Sequence, residues 1–301
     1  MTNSVSVCIP TFNGARWILD SINSALSQTF PPSEILVVDD GSTDDTVEIV
    51  RAVRDERIRL VLNERNLGLA RNWNRCVELA RGQFVKFLFQ DDILYPQCIE
   101  RMVQLFLSAE NLGLVFAARD IIIDVEDEIT REWLENCATL HTRFRALECV
   151  NRGRDLFAQY LEKEFLGNWV GEPSSVMIRR ECFDRVGLFN TAMYQTCDVE
   201  MWLRIMFFYD VGFIQEKLSA FRYHADSTTR ANMKSRRDWL DQVRLLEGLL
   251  SYDEIRAAYP EIKRIRRLQI MRTIGRLIVP LKLRRSILRS ARRVLVSSSL
   301  H

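Results

Sequence analysis

Residues 84–92 read FVKFLFQDD, an apolar run that stops at Gln90 and then places two adjacent carboxylates, Asp91 and Asp92, at its end. A buried aspartate is costly unless it is paired, hydrogen-bonded or bound to a metal. Two of them side by side cannot both stay charged without a cation or dense hydrogen bonding. A hard divalent ion with oxygen ligands resolves the conflict, and Mg²⁺ or Mn²⁺ suits a site that also holds phosphates. The chain contains neither GxxxxGK[ST] nor GxGxxG, so phosphates here need a metal rather than a glycine-rich cradle.

Two other polar clusters have the same character. In PTFNGARW, residues 10–17, Pro10 precedes Thr11, and Asn13-Gly14 permits a tight turn that presents backbone amides and polar side chains to a ligand. In VVDDGSTDDT, residues 37–46, Asp39 and Asp40 precede a helix N-cap cluster. A carboxylate there suits a nucleobase or ribose, and a helix start favours anions. Taken alone, a capped helix with solvated acids explains it equally well.

The elements that must position these clusters follow from periodicity. Residues 4–9 and 35–38 read as strands, the first ended by Pro10, with a helix over 15–28 between them. The pattern continues with a helix over 42–54, a strand over 58–62, a helix over 67–81 and a strand over 84–89. Such alternation predicts an α/β fold with a parallel sheet covered on both faces. Ligands in these sheets bind beyond the carboxyl ends of the strands, where Thr11–Gly14, Asp39–Ser42 and Gln90–Asp92 all lie. Further on, the spacing predicts helices over 97–108 and 198–209, strands over 112–116 and 173–178, a strand pair over 211–223, and an all-helical stretch over 235–296 broken at Pro280.

Composition narrows the class. The 301 residues are 47% hydrophobic and 27% charged, ordinary for a globular protein with a sizeable core. No apolar stretch reaches membrane-spanning length, and MTNSVSVCIP lacks the regions of a signal peptide, so a cytoplasmic location is expected. The seven cysteines are scattered without a CxxC; buried thiols, not a disulfide framework or a zinc site, are expected. Charge is uneven: residues 231–301 carry 17 Lys+Arg against 6 Asp+Glu, whereas residues 1–230 carry 25 against 34. Within the basic appendage, residues 262–296 alternate apolar and cationic positions near helical spacing. That is the composition of a helix lying on an anionic membrane, with packing on the acidic body or a homodimer contact as alternatives. Nucleic acid is not an expected partner, because aromatic interleaving and an RNA-binding motif are missing.

The combination PTFNG, VVDDGSTDDT, NLGLARNWN and FLFQDD resembles the nucleotide-sugar-binding half of the family 2 glycosyltransferases, which have the GT-A fold; a DD pair about fifty residues after VVDDGSTDDT is the specific part. GEPSSVMIRR (171–180), CDVEMWLRI (197–205) and FRYHADSTT (221–229) extend the resemblance over residues 4–225. It implies a Rossmann-like, mostly parallel central sheet flanked by helices over residues 1–230, divided into a nucleotide-sugar-binding half (1–118) and an acceptor half (119–230), with a basic helical C-terminal extension over 231–301. By that match Thr11 and Asp40 hold the nucleoside, Asp91 lies near the ribose or diphosphate, Asp92 binds Mn²⁺ or Mg²⁺, Asp198 is the general base, and His224 touches the metal or diphosphate. Pro10 and Asn13 belong to the same nucleotide-binding edge. Arg71 is a candidate for the base or phosphate, with a solvated helix position as the alternative. Glu172 and Pro173 are candidates for shaping the acceptor pocket, and a plain turn explains them equally well. Trp202, Phe207, Phe208 and Tyr209 read as core in preference to a sugar platform.

Two positions depart from the family pattern: Gln90 stands where many members have an acid, and Cys197 where the residue before the base is usually Glu. The expected activity is inverting, metal-dependent transfer of a sugar from a nucleoside diphosphate, UDP in the first instance, to a hydroxyl of a glycan or lipid-linked acceptor at the cell envelope. The enzyme would be peripheral on the inner face of the cytoplasmic membrane. A nucleotidyltransferase of similar fold is the rival, though PTFNGARW offers a triphosphate only Arg16. A non-catalytic sugar-binding protein is disfavoured by the presence of both Asp92 and Asp198.

Overall fold

A computed structural model describes residues 3–125, 137–228 and 240–278. The first compact unit runs from Met1 to Asp241 and the second from Gln242 to His301; the expected 230/231 boundary lies outside the described residues.

The first unit is a nine-stranded sheet with helices on it. Its elements are β1 (Val5–Thr11), α1 (Ile18–Leu26), β2 (Glu34–Asp39), α2 (Thr46–Ala52), β3 (Ile58–Leu62), α3 (Leu69–Leu79), β4 (Phe84–Phe87), β5 (Ile93–Leu94), α4 (Cys98–Ser108), β6 (Leu112–Ile123), β7 (Val150–Asn151), α5 (Gly153–Glu162), β8 (Val176–Arg179), α6 (Cys182–Val186), α7 (Cys197–Phe208) and β9 (Asp210–Tyr223). The strand order is β3-β2-β1-β4-β8-β6-β9-β5, with β7 also on β9. Strands β1 to β4, β6 and β9 run one way and β5, β7 and β8 run against them. The mostly parallel sheet is therefore as expected. Its central strands are apolar on both faces because helices cover both: β1 and β2 are buried along their whole length.

Three sequence expectations change. Pro10 does not end the first strand, which continues to Thr11 with Pro10 opposite Val38. In a parallel ladder alternate residues bond to opposite neighbours. Thr11 C=O accepts from Asp40 N toward β2, and Cys8 C=O accepts from Leu88 N toward β4. Pro10 therefore faces the β4 side, where pairing has already stopped at Cys8–Phe87, and its missing N–H costs no bond. The strand pair over 211–223 is one strand. Between partners Ile214 and Lys217 the register on β6 shifts, so Gln215 and Glu216 form a bulge, and a polar bulge reads in sequence as a turn. The 173–178 run is a 3₁₀ turn (Pro173–Ser175) followed by β8.

Five of the seven cysteines are buried and all are free thiols. Trp202 and Phe207 are fully buried, as core packing requires, whereas Phe208 and Tyr209 are only partly buried.

In the second unit the described helices are α8 (Asp241–Leu250, beginning on the last residue of the first unit), α9 (Asp253–Ala258) and α10 (Ile262–Ile278). On α10 the buried stripe is Ile262, Ile265, Gln269 and Thr273. Lys263, Arg264, Arg267, Met271, Arg272 and Ile274 are exposed. One face of α10 is thus buried and the other is cationic, with Met271 and Ile274 exposed among the basic side chains. Pro280 and the rest of the 262–296 stretch lie outside the described residues. Among the described residues no helix is long and apolar enough to cross a membrane.

Candidate functional site

Where β1 and β4 diverge, Gln90 takes the place of the missing strand. Phe12 N–H donates to Gln90 Oε1 (2.8 Å), Gln90 Nε2 donates to Phe12 C=O (3.1 Å), and Thr11 Oγ1 donates to the same Oε1 (2.6 Å). The carboxamide thus completes one rung that β4 no longer supplies. Its neighbour Gly14 has no room for a side chain, since a Cβ there would lie 2.4 Å from Gln90 Oε1.

Asn13 turns the chain with φ 50°, a left-handed conformation that asparagine tolerates. Its N–H donates to Ser42 Oγ and its Oδ1 accepts from Thr43 N–H, both at 2.8 Å. Gly14 N–H donates to Thr46 Oγ1 and Ala15 N–H to Asp44 Oδ2. The loops after β1 and β2 are therefore stitched together, which is where much of VVDDGSTDDT is spent. Asp39 caps its own turn through Gly41 N–H, Ser42 N–H and Ser42 Oγ.

Asp40 is 3% exposed. Among the described residues its Oδ1 accepts from Asn63 Nδ2 and Leu67 N–H, and Oδ2 from Gly68 N–H alone. The carboxylate pins the 63–68 loop and keeps acceptor capacity on Oδ2. Phe12 is 44% exposed at this edge, and Arg71 is exposed in the first turn of its helix.

The carboxylate pair at the end of β4 divides its contacts. Asp91 Oδ2 lies 2.8 Å from His224 Nε2. Because His224 Nδ1 accepts from Asp226 N–H, this hydrogen-bond pattern assigns the proton to Nε2, which donates to Asp91. Trp17 packs on the imidazole at 4.1 Å between centroids. Asp92 is fully buried; Oδ1 accepts from Arg222 N–H (2.9 Å), the Ser174 side chain gives the carboxyl a further weak polar contact, and among the described residues Oδ2 has no partner in hydrogen-bond geometry. Burial pushes the Asp92 carboxyl well above the usual carboxylate range, with Asp91 and Glu172 adding negative charge.

The unpaired Asp92 oxygen and the Asp91 carboxylate suit a divalent ion that binds one or two carboxylates and completes its shell on substrate phosphate, while His224, with Nε2–H given to Asp91 and Nδ1 taken by Asp226 N–H, orients Asp91. Among the described residues no three His, Cys, Asp or Glu side chains form a protein-only cage.

On the other side of the site, Asp198 heads α7. Val199 N–H donates to its Oδ1 (2.8 Å) and Asn168 Nδ2 to its Oδ2 (3.1 Å). Burial pushes the Asp198 carboxyl up to about 7, against the Val199 amide and helped by Glu172 and Asp241. Desolvation has won over the favourable helix start. Glu172, at the head of the Pro173 turn, pairs with Arg119 Nε at 2.5 Å, and its charge is felt at both Asp92 and Asp198. Pro173 is buried beneath it. Lys86 reaches the same turn from below: its buried Nζ donates to Ser174 C=O and to Val176 C=O, and burial lowers its pKa. Asp241 accepts from Tyr194, Gln195 and Thr196 N–H and so fixes the approach to Asp198. Trp202 Nε1 donates to Gly171 C=O (3.1 Å), and Arg204 pairs with Glu200 (2.6 Å) while bonding Leu188 C=O. The Trp202 and Arg204 of CDVEMWLRI are thus structural, tying the helix to the loops around Asp198.

The sequence profile of Glycosyl transferase family 2 matches residues 6–187. An uncharacterized protein of Mycobacterium tuberculosis is 38% identical over 258 residues, covering 84% of this chain and 79% of that one. An uncharacterized glycosyltransferase of Rickettsia prowazekii is 26% identical over 239 residues, covering 79% and 69%. Among solved structures, residues 1–349 of S. aureus TarS superpose with a TM-score of 0.67 at 18% identity, covering 93% of this chain and 76% of that one. The same protein in complex with UDP-GlcNAc gives 0.65 at 17% identity, covering 93% and 77%; at this identity the likeness speaks for the fold.

The structure brings Thr11, Asn13 and Gln90 together at one edge, Asp91 with His224, and Glu172 within electrostatic reach of Asp92 and Asp198. It leaves Arg71 on the helix surface. Sequence reasoning did not find Lys86, Arg119, Asn168 or Arg222. Lys86 left a signal, being the one charge inside FVKFLF. Arg119 and Arg222 sit in strands and Asn168 in a loop, and the carboxylates they serve are far away in sequence.

Replacing Gln90 by Ala removes the rung on Phe12 and is expected to cost about 1–2 kcal/mol of stability. Gly14→Ala displaces the same carboxamide, so the two losses should be strongly less than additive in a urea double-mutant cycle. Additive losses would show that the clamp is not shared.

Proposed function

The chain belongs to glycosyl transferase family 2 and is a nucleotide-sugar glycosyltransferase of GT-A fold; we propose that it is an inverting, metal-dependent enzyme transferring a sugar from UDP to a hydroxyl of a cell-surface glycan or lipid-linked acceptor. The observation that carries this reading is Asp198, a buried carboxylate held by the Val199 amide and Asn168 and pushed up to about 7, with Glu172 acting electrostatically on both it and Asp92. A general base works best when its pKa lies near the operating pH. Asp198 takes the proton of the acceptor hydroxyl as that oxygen attacks the anomeric carbon. The bond from that carbon to the departing diphosphate breaks on the opposite side, and the proton stays on Asp198.

Mn²⁺ or Mg²⁺, when bound, would neutralise charge on the leaving diphosphate; Asp92 and Asp91 would hold it, with His224 orienting Asp91. On the donor edge, Asp40 Oδ2 and Thr11 face the nucleoside, Pro10 and Asn13 shape that edge, and the exposed Phe12 ring offers a stacking surface to the base. Arg71 supplies a cation for the phosphate or base. TarS binding UDP and UDP-GlcNAc supports UDP as the nucleotide. Glu172, held by Arg119, and Pro173 form the acceptor-side floor.

The exposed Lys263, Arg264, Arg267 and Arg272 of α10, with Met271 and Ile274 among them, support a peripheral contact with anionic lipid, each basic residue contributing about 1 kcal/mol near such a surface.

Incubation with a panel of nucleotide sugars and Mn²⁺ is expected to release nucleoside diphosphate, with EDTA abolishing release and Asp92→Ala raising the Mn²⁺ requirement. Pyrophosphate release from a nucleoside triphosphate instead would convert the assignment to nucleotidyl transfer. The rate constant kcat/KM should rise about tenfold per pH unit below roughly 7 and level off above it, because only the ionised base accepts a proton. Asp198→Asn should lower turnover at least about a hundredfold with UDP affinity unchanged in calorimetry; full turnover in that variant would remove Asp198 as base. Co-sedimentation with phosphatidylglycerol vesicles is expected at low salt and lost at high salt. Absence of binding at low salt would sink the lipid contact.

A further inference from the structure

We propose that Asn168 is a positioning residue for Asp198: its carboxamide, locked by the turn it belongs to, aims an N–H at Asp198 Oδ2 and holds the carboxylate in its proton-accepting orientation. The proposal rests on Asp198 being the base.

The lock is a matter of donors and acceptors. Asn168 Oδ1 accepts from Val170 N–H (3.1 Å) and Gly171 N–H (2.9 Å). Two backbone donors can face only an oxygen, so the amide cannot flip. Nδ2 is thereby committed to Gly171 C=O and Asp198 Oδ2, both at 3.1 Å. All the hydrogen-bonding capacity of the side chain is used.

The turn is itself over-determined. Glu164 and Phe165 are left-handed (φ 53° and 58°), a costly conformation for a bulky residue that persists only where the surroundings enforce it. Phe165 is fully buried against Phe157. Trp169 N–H donates to Tyr160 Oη (2.8 Å), and the two rings stack at 4.3 Å. Gly171 (φ 118°) lacks space for a Cβ beside Ser175 Oγ at 2.6 Å, and its C=O receives the indole of Trp202 from α7. The turn therefore grips the base's helix twice, at Trp202 and at Asp198.

The titratable and charged groups around Asp198 are Glu172 and Asp241, which raise its pKa, the neutral Cys197 and Tyr160, and Arg143, whose Nη1 donates to Asn168 C=O. Asn168 supplies a side-chain N–H to Oδ2.

Two variants separate positioning from scaffolding. Asn168→Asp keeps the oxygen that Val170 and Gly171 need but turns a second oxygen on Asp198. Asn168→Ala loses both functions. Positioning predicts that the acid limb of kcat/KM moves up by more than about one pH unit in Asn168→Asp, with donor KM within about twofold of wild type. The limb should move less in Asn168→Ala, although that variant melts at the lower temperature. Slower but better folded is the signature. Acid limbs that coincide with wild type in both variants would overturn the proposal, as would Asn168→Ala being worse in both rate and stability. Should Asn168→Asp fail to fold, the limb of Asn168→Ala decides alone, and an unmoved limb overturns it. Should the wild type release no nucleoside diphosphate from any donor, the transfer reading has failed. The Asp198 titration, followed by ¹³C carboxyl NMR in wild type and Asn168→Asp, then decides the role of Asn168: a raised midpoint supports it and an unmoved one does not.

Discussion

Carboxylates of like charge crowd one edge of the sheet, and the surrounding structure is organised by how each is accommodated. Asp91 shares a proton contact with His224, Asp92 has a backbone amide, the nearby Ser174 side chain and, among the described residues, one oxygen without a hydrogen bond, Glu172 has the Arg119 guanidinium, and Asp198 has an amide and a carboxamide. Like charges at short range in a low-dielectric interior force proton affinities apart. Acid and base roles on one fold are set by this kind of separation. The fold brings the groups together by inserting β8 antiparallel between β4 and β6. The turn before β8 then places Glu172 between the carboxylates that end β4 and the one that begins α7.

The donor half was legible because its signals are periodic. Strands buried on both faces read as apolar runs, helices between them carry one apolar stripe, and the three polar clusters fall at strand ends by the geometry of the α/β sheet. The pairing of Asp91 and Asp92 likewise announced an electrostatic problem. What stayed hidden depends on partners far apart in sequence. Gln90 looked like a defect in an acidic motif; it is a substitute strand for Phe12, which becomes visible only once β1 is known to outrun β4. Pro10 looked like a stop because a proline usually costs a ladder bond, and here the bond it lacks has no partner to lose. Gln215 and Glu216 read as a turn because a polar bulge and a turn share composition. Asn168 gave no signal, since one asparagine in a polar loop is ordinary until its four hydrogen bonds are seen.

The site also separates two kinds of rigidity. The donor edge is held by hydrogen bonds between loops, with Asn13, Ser42, Asp44 and Thr46 as cross-links. The Asp198 side is held by packed aromatic rings around Tyr160 and Trp169, which sustain backbone strain of order 1–3 kcal/mol per left-handed residue. Hydrogen-bonded loops can reopen one bond at a time to admit a nucleotide. A stacked aromatic platform moves as a unit or not at all, which suits a group whose orientation sets the chemistry.

Lys86 has a consequence for how the chain reaches this state. Its strand pairs on one side with β1, which precedes it, but the other side waits for β8, made some ninety residues later. During synthesis FVKF is therefore an open, otherwise apolar edge, the kind that invites pairing between molecules. A lysine in its centre is the charge that discourages such pairing, and it is sealed only when the Ser174 and Val176 carbonyls arrive to receive it. The cation that ends beneath the carboxylates is, before that, a guard on an unfinished sheet.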